Sequence, residues 1–202
     1  MNAITNTLPA AIGAPMEGGF FVGLIMIKGT VYGLAVAPKA TGEFELPWSE
    51  NNKFVAGATD FVDGLENTVA MGDAGSKLAQ TIRELRIDDF EDWYLPSQAE
   101  LDIAYRALKP TTDANSCYNR SGLNAASLPP AQPYSMGGPV QTSAQAFQAG
   151  GAEAFDAVDY WTSTQHAAFS DGAWSQYFDD GYQDYSGKSA AGRARAFRRF
   201  AI

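Results

Sequence analysis

Two apolar runs, Phe20–Ile27 and Val31–Pro38, flank a short Lys28-Gly29-Thr30 link, and no other feature of the chain constrains its fold as tightly. Each run is strand-sized and too short to span a membrane. Their β-branched and aromatic content and the central glycine predict a hairpin. Neither run alternates cleanly between apolar and polar, so both faces of the hairpin are expected to be covered. The composition suits such a fold: 202 residues, 46% hydrophobic and 18% charged, make one domain with a real core. The 12 Phe, 9 Tyr, 20 Gly and 10 Pro favour a loop-rich chain with many strands over a helix bundle.

The remaining pattern fills in around the hairpin. Residues 1–17 read as a weakly structured arm ahead of a single domain over 18–202. Residues 39–62 read as irregular. After Asp63-Gly64 a helical segment follows, with Ala74, Leu78, Ile82 and Leu85 on one face and Gly72 and Gly75 weakening its front. Residues 92–96 are extended. Ser97-Gln98-Ala99-Glu100 is a capping box, in which the serine accepts from the amide of residue 100 and Glu100 reaches back. The helix it opens runs through Leu101, Ala104, Tyr105 and Leu108 and stops at Lys109-Pro110. A long, weakly patterned loop spans 111–158, with a short helix near Ser143–Phe155. Strand chemistry returns in DYWTSTQ, AWSQYF, YQDYSGK and RARAFRRFAI, with Asp179-Asp180-Gly181 as a turn. Segregated strands and helices predict an α+β fold with an antiparallel sheet, in which the first hairpin meets the last strand.

Charge and cysteine usage exclude several functions. The net charge is −9, but residues 188–202 hold five basic and no acidic residues, leaving all 23 acids against nine bases upstream. Bulk nucleic-acid binding is not expected from such a surface. Cys117 is the only cysteine and His166 the only histidine, which excludes an intrachain disulfide and a cysteine-based zinc site. The N-terminus has neither a basic start nor a long apolar run, so no signal peptide and no membrane insertion are expected.

Four motifs carry a resemblance. Trp93, Leu95, Pro96, Ser97, Glu100 and Leu101 resemble a W-[RY]-L-P-[ST]-x-x-E-L signature; Tyr160 to Thr164 resemble YW[ST]ST. Ala173-Trp174 through Phe178, with Asp180-Gly181, resemble an A-W-x-x-x-F-x-D-G hairpin, and Arg195 to Arg199 resemble a closing R-x-[VF]-R strand. The set is similar to the lectin-like C-terminal domain of bacterial collagen-like adhesins and its phage relatives. That resemblance implies a C-type-lectin-like fold: two helices, a small twisted antiparallel sheet and long loops. It implies binding without catalysis, a homo-oligomer with a trimer favoured, and a place on a phage virion assembled in the host cytoplasm. The partner would be a host-surface glycan or protein, or other virion proteins. An adhesin-like or prophage-encoded binding module outside a particle is the alternative. The Glu-Pro-Asn, Gln-Pro-Asp and Trp-Asn-Asp elements of calcium-dependent sugar binding do not occur here, so no cofactor is expected.

The candidate contact residues lie in the long loop: Tyr118, Asn119, Arg120, Tyr134, Met136 and Phe147, rigid aromatics among adaptable polar groups. The alternative is that this loop packs on a partner subunit or on its own domain. Trp93, Trp161 and Trp174 read as core, and Ser97 and Glu100 as a helix cap. Asp171, Asp179, Asp180 and Asp184 are candidate calcium ligands, but their spacing is better turn chemistry. The arginines at 193, 195 and 199 are expected to face the 171–184 acids across strands. His166 reads as a polar residue of a surface loop, and Cys117 lacks the base and electropositive surround a catalytic thiol needs.

Overall fold

A computed structural model describes residues 8–118 and 121–202. The expected hairpin is β2 (Gly19–Ile27) and β3 (Thr30–Val36), which follow β1 (Pro15–Met16). Lys28 and Gly29 form the turn with φ of 50° and 83°, the positive pair that matches the right-handed twist of the two strands. The arm is therefore partly built into the sheet: β1 pairs with β2, and the Gly13 amide donates to the Phe21 carbonyl at 2.8 Å.

Residues 39–62 are more regular than their composition suggests. A single helical turn, α1 (Lys39–Gly42), leads into β4 (Glu43–Pro47). The helical segment after Asp63 is two helices, α2 (Gly64–Asp73) and α3 (Lys77–Arg83). The break has a local cause: Gly75 sits at φ 93°, and the Ser76 side chain accepts from the Ala79 amide to cap α3. Leu78 and Ile82 still share one buried face, now joined by Met71 from α2. α4 (Gln98–Leu108) opens on the predicted capping box: Ser97 Oγ accepts from the Glu100 amide at 3.3 Å, and the Ser97 amide donates to Glu100 at 2.8 Å. The short strand β5 (Ser127–Leu128) and a 3-10 turn, Gln145–Phe147, are the regular pieces of the long loop.

The C-terminal strands are β6 (Asp159–Gln165), β7 (Gly172–Tyr177), β8 (Gln183–Gly187), β9 (Ala191–Arg195) and β10 (Phe197–Ala201). The fold is α+β with two five-stranded sheets, not one small sheet with two helices. One runs β1-β2-β3-β10 with β5 on β2; the other runs β4-β9-β6-β7-β8. Pairing is antiparallel except where β6 meets β9 in parallel through Tyr160 and Arg193. The chain changes sheets at Ala196, so the alternating Arg-rich tail is two strands rather than one. β10 pairs with β3, which joins the first hairpin to the chain's last strand.

The core has two main parts. One gathers Val22, Ile25, Leu34, Tyr94, Tyr105, Phe147, Phe155, Tyr160 and Phe178; the other gathers Trp48, Met71, Ile82, Trp93, Leu95 and Trp161. The outer face of the first hairpin is covered by a smaller cluster of Phe21, Ala35 and Phe200, although Met26 near the turn is exposed. The conspicuous motifs are stitched together. Tyr94 exchanges two backbone hydrogen bonds with Phe197, each 2.8 Å; the Ser163 amide donates to Pro96 at 2.7 Å; Thr164 Oγ1 accepts from the Gln98 amide at 3.1 Å. Glu100 is fully buried at this junction, taking further hydrogen bonds from Tyr94 Oη (2.6 Å) and the Gly64 amide (3.1 Å). A side chain at Gly64 would run into Glu100 and the Ser97 amide, which explains glycine there.

The arginines find other partners than the 171–184 acids. Arg193 lies against Glu43 (3.0 Å) and Asp156 (3.3 Å), and Arg195 against Glu153 (2.6 Å). Arg198 holds Asp92 through Nε (2.8 Å) and Nη2 (3.0 Å), and Arg199 holds Asp63 (2.8 Å). The physical reason is strand order: β9 sits between β4 and β6, and β10 lies in the other sheet, so neither adjoins β8.

Candidate functional site

The β7–β8 pairing places Trp174 opposite Tyr185 and Gln176 opposite Gln183. Directly opposed residues project to one face. Tyr182 joins this face from the turn before β8, Gln98 from the first turn of α4, and Tyr118 and Ser121 from the loop after α4. With Asp184, all of these except the buried Gln176 line a groove of about 320 Å³.

Tyr134 forms the groove's support. It is 5% exposed, and its hydroxyl donates to Asp102 and accepts from Gln176 Nε2 at 2.8 Å. Asp102 is also held by Arg106 Nε (3.1 Å) and Asn124 Nδ2 (2.9 Å). Gln183 Nε2 reaches Gln176 at 3.5 Å, and Gln183 Oε1 accepts from the Gly122 amide at 3.2 Å, which closes the circuit between the loop wall and the hairpin wall. Gly122 (φ 80°) presses against the Tyr134 ring, and Gly181 (φ 75°) against the rings of Tyr105 and Tyr134, where a Cβ would collide. Burial pushes the Asp102 carboxyl above the usual aspartate range, opposed by the Arg106 charge and the Tyr134 hydroxyl. Burial, reinforced by Asp102, pushes the Tyr134 phenol up as well.

Above this support the polar groups are open. Among the described residues no partner meets the Trp174 indole N–H, the hydroxyls of Tyr118, Tyr182 and Tyr185, or the side-chain amide of Gln98. Gln98 is only 6% exposed, and it lines the groove. Asp184 spends one carboxylate oxygen on the Tyr185 amide at 2.8 Å. Beyond the groove the aromatic surface continues: Phe169, half exposed, stacks on Tyr185 at 5.4 Å. His166 packs 4.4 Å from Tyr185 and 5.1 Å from Trp174, and its Nδ1 accepts from the Phe169 amide at 3.0 Å.

The sequence-based candidates separate in space. Tyr118 is 60% exposed and lines the groove. Met136 is also exposed, but lies beside Lys109 and Val140 in a different depression. Tyr134 and Phe147 are not contact residues: Tyr134 lies beneath the groove, and Phe147 is fully buried against Phe20 at 5.3 Å. Asn119 and Arg120 lie outside the described residues. Trp93 and Trp161 are core, whereas Trp174 is only part-buried and faces the groove. His166 supports a loop and an aromatic cluster rather than merely decorating the surface. Asp179 and Asp180 accept from the amides of Asp180 (2.8 Å) and Tyr182 (2.9 Å), turn roles that use the carboxylates locally. Among the described residues, Asp171, Asp179, Asp180 and Asp184 form no group able to hold a metal ion, and no helix is long and apolar enough to cross a membrane.

Gln98, Gln176, Tyr182, Gln183 and Tyr185 do not stand out from the sequence as contact candidates. The available signal was the register of the AWSQYF and YQDYSGK hairpin, which puts alternate residues of both strands on one face. No family model and no curated protein matches the chain.

Proposed function

We propose that this protein is a non-enzymatic binding module of the phage-virion type, with a C-type-lectin-like domain. It would attach particles to a host surface or decorate a capsid or tail, as a homotrimer. The observation that carries this reading is the groove. It gathers aromatic faces and unpaired hydrogen-bonding groups over a support whose own polar groups are satisfied, the arrangement of a preformed recognition site. The lectin-like assignment is supported by the way three of the four motifs meet at one junction, with Tyr94 on Phe197 and Ser163 on Pro96. Phage assembly and trimerisation come from the resemblance alone.

The test is the protein content of purified particles, by mass spectrometry, together with the mass of the isolated protein by light scattering. The reading expects the chain in the particle and a trimeric mass. A particle fraction that lacks the chain refutes the virion role.

A further inference from the structure

Resting on the reading of the groove as a binding site, we propose that its ligand is a neutral oligosaccharide, held with sugar-ring faces on Trp174 and Tyr185 and hydroxyls on Gln98, Asp184 and the tyrosine hydroxyls. A pyranose ring has an apolar C–H face and a rim of hydroxyls, each able to donate and to accept. The groove offers the complement of both. Trp174 and Tyr185 are cross-strand partners with rings 5.9 Å apart at 75°, so they present two differently tilted faces rather than one slot. Phe169, stacked on Tyr185, extends the aromatic surface past the groove's end, which suits a chain of rings better than a single one.

The polar inventory is equally specific. The Gln98 amide supplies a donor and an acceptor, the indole N–H a donor, the tyrosine hydroxyls both, and Asp184 a carboxylate acceptor. The Gln98 side-chain amide has no protein partner among the described residues and lines the groove, so it is free to meet a bound hydroxyl. Neutrality follows from what lines the groove. Among the described residues its wall holds Asp184 and no lysine or arginine, on a chain of net charge −9. A uronic, sialic or sulfated sugar would meet the Asp184 carboxylate with no compensating cation among the described lining residues.

A peptide ligand fits less well, because no aliphatic side chain lines this groove. Aliphatic depressions lie elsewhere, one along α2 beside Val69 and one between β2 and α4 beside Ile103.

The experiment uses the full chain on an array carrying neutral gluco-, galacto- and manno-configured oligosaccharides, their uronic, sialylated and sulfated counterparts, and a random peptide set. Hits are titrated in solution by tryptophan fluorescence at low and high salt. The proposal expects binding to neutral oligosaccharides, insensitive to salt. It expects a loss of about tenfold or more for both Trp174→Ala and Tyr185→Ala, since each ring supplies a large share of the contact. Tyr185 is 40% exposed, so Tyr185→Ala keeps the test informative if Trp174→Ala misfolds. Asp184→Asn should weaken neutral binding and lessen the discrimination against acidic sugars. Binding confined to acidic glycans with steep salt dependence, binding confined to peptides, or neutral binding untouched by Tyr185→Ala each overturns the proposal. No binding to any sugar by a chain that is present in particles overturns the ligand assignment and leaves the virion role standing. Neutral-sugar binding by a chain absent from particles does the reverse.

Discussion

Replacing Tyr134 with phenylalanine tests the support of the groove directly. The substitution keeps the ring that Gly122 and Gly181 press upon and deletes only the hydroxyl. Two hydrogen bonds go with it: one donated to the Asp102 carboxylate, and one accepted from Gln176 Nε2. A hydrogen bond to a charged group contributes about 1.5–3 kcal/mol, and a buried donor left idle costs about 1 kcal/mol or more. The sum is about 3 kcal/mol. Tyr105→Phe is the internal control. It loses one bond, to Asn115 Oδ1 at 2.7 Å, and that oxygen keeps Lys109 Nζ at 2.8 Å, so about 1 kcal/mol is expected. The Tyr134 penalty also depends on pH. Asp102 is already raised by burial, and losing a donor raises it further. A raised carboxylate contributes stability that is complete below its unfolded pKa and is lost as pH rises through the folded one, so the variant suffers more at about pH 8 than at about pH 4. Urea unfolding of wild type and both variants at the two pH values measures this. A Tyr134→Phe cost no larger than that of Tyr105→Phe and flat with pH refutes the supporting role of the Tyr134 hydroxyl.

Three further outcomes follow from buried charges. Burial lifts the Glu100 carboxyl to about 7 against the opposing hydrogen bonds from Tyr94 and Ser97. Its contribution is therefore full below the unfolded value near 4.5 and is lost as pH rises through 7, so Glu100→Gln removes a stability change on the order of 3 kcal/mol across that window in urea titrations. Lys188, fully buried 4.6 Å from the Trp48 ring, is held down to about 8 by desolvation. Wild-type stability then rises between pH 8 and 10.5, a rise that Lys188→Met abolishes. At neutral pH the same variant costs about 2 kcal/mol, because Lys53 O, Ser170 O and Gln165 Oε1 lose their donor. Arg198→Ala removes the paired contact to Asp92, the Glu17 contact and the stack on Phe90 at 3.9 Å, and lowers stability by about 3 kcal/mol in thermal unfolding.

Local signals carried over into the structure where the chemistry is local. The Lys28-Gly29 turn, the Ser97–Glu100 box and the Asp180-Gly181 turn are written in adjacent residues, and each forms where its sequence places it. What the sequence hid was long-range. The helix break at Gly75 and Ser76 interrupts a periodicity that spans it unbroken. The RARAFRRFAI segment alternates smoothly through Ala196, yet the chain leaves one sheet for the other there, because β4 and β6 take β9 while β3 takes β10. The arginine partners changed with that choice, since cross-strand neighbours depend on strand order and not on spacing.

The groove shows the same division. Composition marks Tyr118 and Tyr134 alike as contact candidates, but the fold gives them opposite places, one lining the groove and one beneath it. Tyr134 is buried because two glycines with positive φ close on its ring and Asp102 waits at its hydroxyl; those contacts come from residues 122, 181 and 102. The same logic inverts Trp174. Its motif reads as core, and its neighbour Ala173 is core, but alternation along β7 turns the indole to the face that Tyr185 shares. One strand thus serves two purposes, burying Ala173 and Ser175 in the sheet and turning Trp174 to the groove. That sharing makes groove and fold separable in experiment: Tyr185→Ala should empty the site of affinity at a smaller cost to the unfolding midpoint than Tyr134→Phe, which should move the midpoint first.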